Sequence, residues 1–163
     1  MWSGRIWRWK YLYNKKYNGK GYDENGNIIY QLINGNGKVK EYWDNGELKF
    51  EGEYLNGKRI GKGKEYYGYG KLKFEDEYLN GKRNGKGKEY NYDGTLLFEG
   101  KYLNGEKNGI GKEYYHHNDK STLKYEGEYL NDKRNGKWKE CKYDVLLFED
   151  EYLNGKRNGK VKE

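Results

Sequence analysis

The side chains able to do chemistry in this sequence are few: adjacent His116 and His117, a single Cys141, and carboxylate pairs such as Glu51/Glu53, Glu75/Glu77 and Glu126/Glu128. The histidines sit in YYHHNDKST, which reads as a solvated loop or a bulged strand end. Neighbours on a strand point to opposite faces, and a zinc site needs three or four ligands, so no metal site is expected there. Cys141 with a histidine base would make an activated thiol, but the two lie in different repeats. Cys141 reads instead as a small buried substitute for tyrosine. The paired glutamates each face a lysine in the expected strand register, which makes them a solvated charge lattice rather than a desolvated acid pair. GKG and NGKGKE lack the Ser or Thr that completes a phosphate loop. No catalytic, cofactor-binding or metal residues are assigned, and the chain is expected to be no enzyme.

What remains is architecture. Of 163 residues, 33% are apolar, 36% charged and 18% aromatic, with twenty tyrosines and no proline. An aliphatic globular core is excluded, and the aromatic content argues against disorder. The net charge of +7 is spread along the chain, so acidic partners or anionic lipid are favoured and no specific nucleic-acid binding is expected. An unpaired cysteine implies no disulfide framework and an intracellular, cytoplasmic setting, with the periphery of a membrane or cytoskeletal structure as a further expectation. The opening MWSGRIWRWK has no apolar run, so neither a signal peptide nor a membrane span is expected.

One string dominates. FEGEYLNGKRIGKGKEYY, residues 50 to 67, returns with variations, its leading aromatic recurring at Phe74, Phe98, Tyr125 and Phe148. A period of this size means stacked supersecondary units. We divide the chain into a single array of about seven units: an N-terminal edge segment over 1–10, two diverged short repeats over 11–49, four clear repeats over 50–147 and a truncated last repeat over 148–163. The last strand, near Lys160 to Glu163, is expected to leave an open edge that invites end-to-end association.

Within a unit the alternation of Leu48, Phe50, Gly52 and Tyr54 with Lys49, Glu51, Glu53 and Leu55 has the period of a strand. Turn chemistry follows at Asn56 to Arg59, then a returning strand, so each repeat is a β-hairpin. A four-residue loop would set Leu55 opposite Ile60, Tyr54 opposite Gly61, Glu53 opposite Lys62, Gly52 opposite Gly63, Glu51 opposite Lys64 and Leu48 opposite Tyr67. One face is then aromatic and glycine, the other ionic. A tyrosine from the adjacent hairpin is expected to lie over Gly52 or Gly63.

The spacing carried by Phe50, Gly52, Tyr54, Gly57, Gly61 and Gly63, and again by Phe98, Gly100, Tyr102, Gly105, Gly109 and Gly111, resembles the MORN (membrane occupation and recognition nexus) repeat. The resemblance covers roughly residues 11 to 163. It implies an all-β fold: an elongated, single-layer, twisted antiparallel sheet of consecutive β-hairpins, used as a scaffold, dimerisation or partner-docking surface, with phospholipid binding linked to some members. Departures from the pattern are Asp76 and Asp150 at the second glycine, Asp132 at the turn glycine, Trp138 and Val161 at the fourth glycine, and Cys141 for tyrosine. Trp138 either fills the groove or makes a local docking site.

Two surfaces follow. The aromatic face, with Tyr54, Tyr78, Tyr102, Tyr129, Tyr152 and Trp138, is expected to dock a protein partner or a second copy of the chain. The hairpin tips, with Lys58, Arg59, Lys82, Arg83, Lys133, Arg134, Lys156 and Arg157, are expected to form a basic edge for an acidic protein or anionic phospholipid, interrupted at Glu106-Lys107.

Overall fold

The computed structural model describes residues 7–12, 15–22, 25–117, 120–142 and 144–158, with the side chains of 7–17, 117 and 120 left aside. Val161 and the strand expected near Lys160 to Glu163 lie outside the described residues. Among the described residues the fold consists of fourteen strands and no helix. Among the described residues no helix is long and apolar enough to cross a membrane.

The chain forms two compact units, 1–82 and 83–163. In the first, β1 (Trp7–Leu12), β2 (Lys15–Tyr22) and β3 (Ile28–Leu32) make a three-stranded antiparallel sheet. The strands β4 (Gly37–Tyr42), β5 (Leu48–Leu55), β6 (Lys58–Tyr66) and β7 (Leu72–Leu79) follow one another as neighbours. In the second unit β8 (Lys82–Tyr90), whose first residue is the last of unit one, leads into β9 (Leu96–Leu103), β10 (Glu106–His117), β11 (Lys120–Leu130), β12 (Lys133–Lys142), β13 (Val145–Leu153) and the short β14 (Lys156–Arg157). Neighbours in each sheet are neighbours in sequence, an open meander that does not close into a barrel.

The turn inside each repeat is tighter than its sequence suggests. Asn56 and Gly57 alone form it, at φ of 51° and 73°, so Leu55 pairs with Lys58 and Tyr54 with Arg59. Consecutive left-handed residues give a turn whose twist matches the strands, which is why an Asn-Gly pair closes a hairpin in two residues. The two extra residues are taken up further along. A register shift after Gly52 leaves Gly61 and Lys62 without partners on β5, and pairing resumes at Gly52 with Gly63 and Glu51 with Lys64. The bulge is built on Gly61, at φ of 64° with open space where a Cβ would stand. The expected opposition of Tyr54 to Gly61, Glu53 to Lys62 and Leu55 to Ile60 is therefore corrected. The same pairings occur instead one hairpin on, between repeats, where Gly61 meets Tyr78 and Lys62 meets Glu77. Leu48 likewise pairs with Tyr42 rather than Tyr67.

Turns also bond to turns. Gly57 donates its N–H to the Gly35 carbonyl at 2.8 Å and Gly81 to that of Arg59 at 2.9 Å, and in the second unit Gly105 donates to Arg83 and Gly155 to Arg134. Asp132, at the one tip where glycine is replaced, sits at φ of 62°. Its carboxylate accepts from the Lys107 N–H at 2.7 Å, a bond no glycine supplies. The long unit lengthens its strands rather than its loop: β10 and β11 stay paired out to His116 with Ser121 and His117 with Lys120.

Candidate functional site

The aromatic side of the sheet is an internal layer with a roof. In the first unit the Phe50 ring lies over its own hairpin's Gly52 and Gly63, so that a Cβ on either glycine would fall 2.7 or 2.8 Å from a ring carbon. The ring over both glycines is thus a phenylalanine from the same hairpin, and the expected tyrosine of the next hairpin, Tyr78, joins it at Gly63 with a ring carbon 3.1 Å from the same Cβ position. Tyr54 and Tyr78 meet Phe50 edge-on at 6.0 and 5.8 Å. Above Phe50 stands the Arg59 guanidinium, 3.8 Å from the ring centroid, held by Glu65 at 2.7 Å and Glu41 at 3.8 Å. Tyr54 donates its hydroxyl to Glu41, and Tyr78 donates to Glu65 at 2.7 Å. Ring, cation and carboxylate form one closed set: the cation gains the ring's face and each carboxylate gains a phenol and a guanidinium.

The second unit repeats the arrangement with substitutions. Phe98, 1% exposed, lies over Gly100 and Gly111, flanked edge-on by Tyr102 and Tyr129. Its cation is Lys107, 3.9 Å from the ring and 3.2 Å from Glu89, which also accepts from Tyr102 at 2.7 Å and Arg83 at 3.0 Å. Lys107 therefore takes over the ring the place that Arg59 holds in the first unit, while Glu106 is exposed at its tip. Arg134 covers Tyr125 at 3.7 Å and binds Glu113 at 2.8 Å, where Tyr129 also donates. Trp138, 2% exposed, fills the place of the missing glycine: its indole stacks over Gly127 and donates to the carbonyl of Glu128 at 2.8 Å.

Of the residues assigned to an open aromatic face, Tyr54, Tyr78, Tyr102, Tyr129 and Trp138 are buried and Tyr152 is half-buried. Burial and the neighbouring carboxylates push the phenols of Tyr54, Tyr78 and Tyr129 well above the usual tyrosine range. The basic tips divide in two. Arg59, Arg83 and Arg134 turn onto the aromatic side and are ion-paired there, and the exposed Arg157 pairs with Glu140 at 3.1 Å and Asp150 at 3.4 Å. Lys58, Lys82, Lys133 and Lys156 stay exposed without an ion pair.

Sequence reasoning missed Glu41, Glu65, Glu89 and Glu113 as parts of the aromatic side. Parity gave the signal, since Gly61, Gly63 and Glu65 alternate onto one face when β6 is read by twos. The outer face keeps the ionic lattice, with Lys40 to Glu51 at 3.5 Å, Lys64 to Glu75 at 3.7 Å, Lys88 to Glu99 at 3.7 Å and Lys112 to Glu126 at 3.6 Å. Tyr66 and Tyr114 donate to Glu51 and Glu99 on that face, each at 2.6 Å. Cys141, buried, occupies the corresponding place. A row of leucines rims this face at the tips: Leu55 and Leu79 in the first unit, Leu103, Leu130 and Leu153 in the second, each 44 to 54% exposed.

His116 pairs with Asp93 at 3.1 Å on the loop side of the hairpins. No group of three or more His, Cys, Asp or Glu able to hold a metal ion occurs among the described residues.

The roof sets an acid limit. Burial alone would raise the Glu89 carboxyl, but the Tyr102 hydrogen bond and the charges of Lys107 and Arg83 outweigh it and hold Glu89 below its ordinary value of 4.5. A carboxylate depressed on folding contributes stability above the unfolded pKa and loses it as pH falls through the folded one. Chemical denaturation at stepped pH is expected to show stability flat near neutrality and falling below about pH 4.5, with the fall reduced in Glu89→Gln. An acid limb unchanged in that variant contradicts the assignment.

An open meander of consecutive hairpins defines a hairpin-repeat protein. Four stretches, residues 50–68, 77–96, 98–116 and 125–137, match the family model of the MORN repeat, and the chain carries MORN repeats. No match to a curated protein is found. Repeats of this family are non-catalytic and serve in general as interaction and membrane-associated modules.

Proposed function

We propose that the chain is a non-enzymatic scaffold that docks a protein partner or a second copy of itself. Docking by the aromatic side, the reading its composition suggests, brings a partner first onto a roof of charged side chains, Arg59 and Glu65 in the first unit or Lys107 and Arg134 in the second, with the rings as its floor. Direct apolar contact falls to the outer rim. The observation that carries this is the leucine placed once per repeat at the end of the outgoing strand, half-exposed every time. Leucines spaced along a rim between exposed lysines are the apolar points and polar border of a docking surface.

Captured partners of the wild-type chain and of the doubly substituted Leu55→Ser/Leu79→Ser chain are to be compared, with light scattering to recognise a second copy. The substituted chain is expected to keep its circular dichroism spectrum and lose the partner. Retention of the same partner by the folded variant, at undiminished yield, overturns the reading.

A second reading is favoured by the unpaired tip lysines: Lys58 and Lys82 beside Leu55 and Leu79 present charge and aliphatic surface together, as contact with an anionic bilayer requires. Each such lysine contributes about 1 kcal/mol near a charged membrane, and because the arginines of the same tips are engaged elsewhere, the edge carries half the charge its sequence suggests. Flotation with phosphatidylserine vesicles is expected to fall with salt and with Lys58→Gln/Lys82→Gln. Equal flotation with neutral vesicles counts against it.

A further inference from the structure

The hairpin tips of the first unit alternate in chemistry along a row. Ile33 precedes one tip, and Leu55 and Leu79 precede the next two, each about half exposed. Lys58 stands directly opposite Leu55 across its turn, and Lys82 follows the turn after Leu79. Both lysines are exposed, and neither has an ion pair among the described residues. The row is held in place, since Gly57 and Gly81 donate from tip to tip at 2.8 and 2.9 Å. The Lys58 stem rests against the third tip, its Cβ 3.8 Å from where a Cβ on Gly81 would stand. Successive strands are about 4.8 Å apart, so the aliphatic points recur about every 9.6 Å with a polar or cationic residue between them.

From this alternation we infer that the tips of the first unit dock an amphipathic α-helix of a separate protein, acidic along the stripe that carries its aliphatic residues. The inference rests on the scaffold reading and names the chemistry of its partner. A helix laid across the strands reproduces both intervals: three or four residues along one face advance about 5 Å, and seven advance about 10.5 Å. An aliphatic residue at every seventh position then meets Ile33, Leu55 and Leu79, while carboxylates midway meet Lys58 and Lys82. An extended strand repeats on one face about every 6.8 Å. A polyproline helix repeats about every 9.3 Å with nothing on the same face between. Neither offers apolar and acidic groups in turn at this spacing. The described residues of a second copy contain no helix to supply. A polyanion without apolar groups leaves the leucines between the lysines unmatched.

The test titrates the full chain, isotopically labelled, with a capped peptide of three Leu-Ala-Gln-Glu-Ala-Ala-Gln heptads. Two counterparts accompany it, one with glutamine for each glutamate and one with proline for the alanine after each glutamate, which breaks the helix. Saturable amide shifts are expected at Leu55, Lys58, Leu79 and Lys82 with the first peptide, whose helicity rises on binding, and weaker ones with the other two. Lys58→Glu/Lys82→Glu is expected to weaken binding about tenfold with its circular dichroism spectrum unchanged, and a peptide with lysine for each glutamate is expected to restore it. Absence of shifts, equal affinity for the glutamine or the proline peptide, or failure of the charge exchange to restore binding overturns the site. Phosphatidylserine vesicles that perturb these amides more strongly than the peptide overturn it in favour of a bilayer. Loss of the captured partner from Leu55→Ser/Leu79→Ser, with no response to the peptide, leaves rim docking standing and overturns the helix alone.

Discussion

Trp138→Ala is expected to destabilise the second unit by about 3–5 kcal/mol, read as a shift in the denaturant midpoint at constant slope. The indole is 2% exposed, meets Tyr129 at 4.9 Å and Tyr152 at 6.0 Å, and satisfies the carbonyls of Glu128 and Asn135. Its removal leaves a cavity over Gly127, with those carbonyls short of a donor. Trp138 also explains why Tyr125 is only half-buried at a position where Phe50 and Phe98 are enclosed. The slot they occupy, between two facing glycines, is here already filled from the opposite strand. Restoring both elements of the ordinary repeat, as Trp138→Gly with Tyr125→Phe, is expected to recover part of the loss that Trp138→Gly alone causes. Strict additivity of the two changes contradicts a shared slot.

A second large effect is expected at Phe98, where alanine costs about 3–5 kcal/mol, against less than about 2 kcal/mol for Phe74→Ala. The two residues hold the same place in successive repeats, yet Phe98 is 1% exposed and Phe74 is half-buried. The difference lies two residues on. Gly100 leaves room for the ring, whereas Asp76 puts a buried carboxylate where the ring would lie. Phe148 repeats the case, half-buried beside Asp150, with Arg157 drawn to that carboxylate at 3.4 Å. Equal costs at Phe74 and Phe98 would contradict the glycine slot as the source of burial.

The hairpin, its two faces and the pairing of Glu51 with Lys64 were legible because they follow from a strand period of two and a repeated unit. The tightness of the turn was not. Asn56-Gly57 reads equally as the heart of a two-residue loop or the start of a four-residue one, and the choice rests on whether Gly61 is spent in a strand or in a bulge. The face of Arg59 followed from that choice: beside a four-residue loop it belongs to an exposed tip, while in a strand opposite Tyr54 it must cover the rings. A single miscounted turn thus turned a roofed layer into an open trough. Trp138 was recognised as a departure, with two outcomes, and packing over Gly127 shows it filling the groove. The lattice face was read correctly as ionic, but its leucine rim went unremarked, since leucine before a turn looks like ordinary strand composition.

Whether the rings are inside or on offer is the point on which the surface assignment turns, and spectrophotometric titration of the tyrosines addresses it directly. Burial first, then Glu41, Glu65 and Glu113, raise Tyr54, Tyr78 and Tyr129. For an acid whose pKa is raised on folding, stability is full below the unfolded value, here 10.0, and is lost as pH climbs above it. The prediction is a split titration: one set of tyrosines ionises while the fold is intact, and the enclosed set of Tyr54, Tyr78 and Tyr129 ionises only together with unfolding at higher pH. A single transition at the ordinary tyrosine value, with the fold intact, would place the rings in solvent and contradict the account.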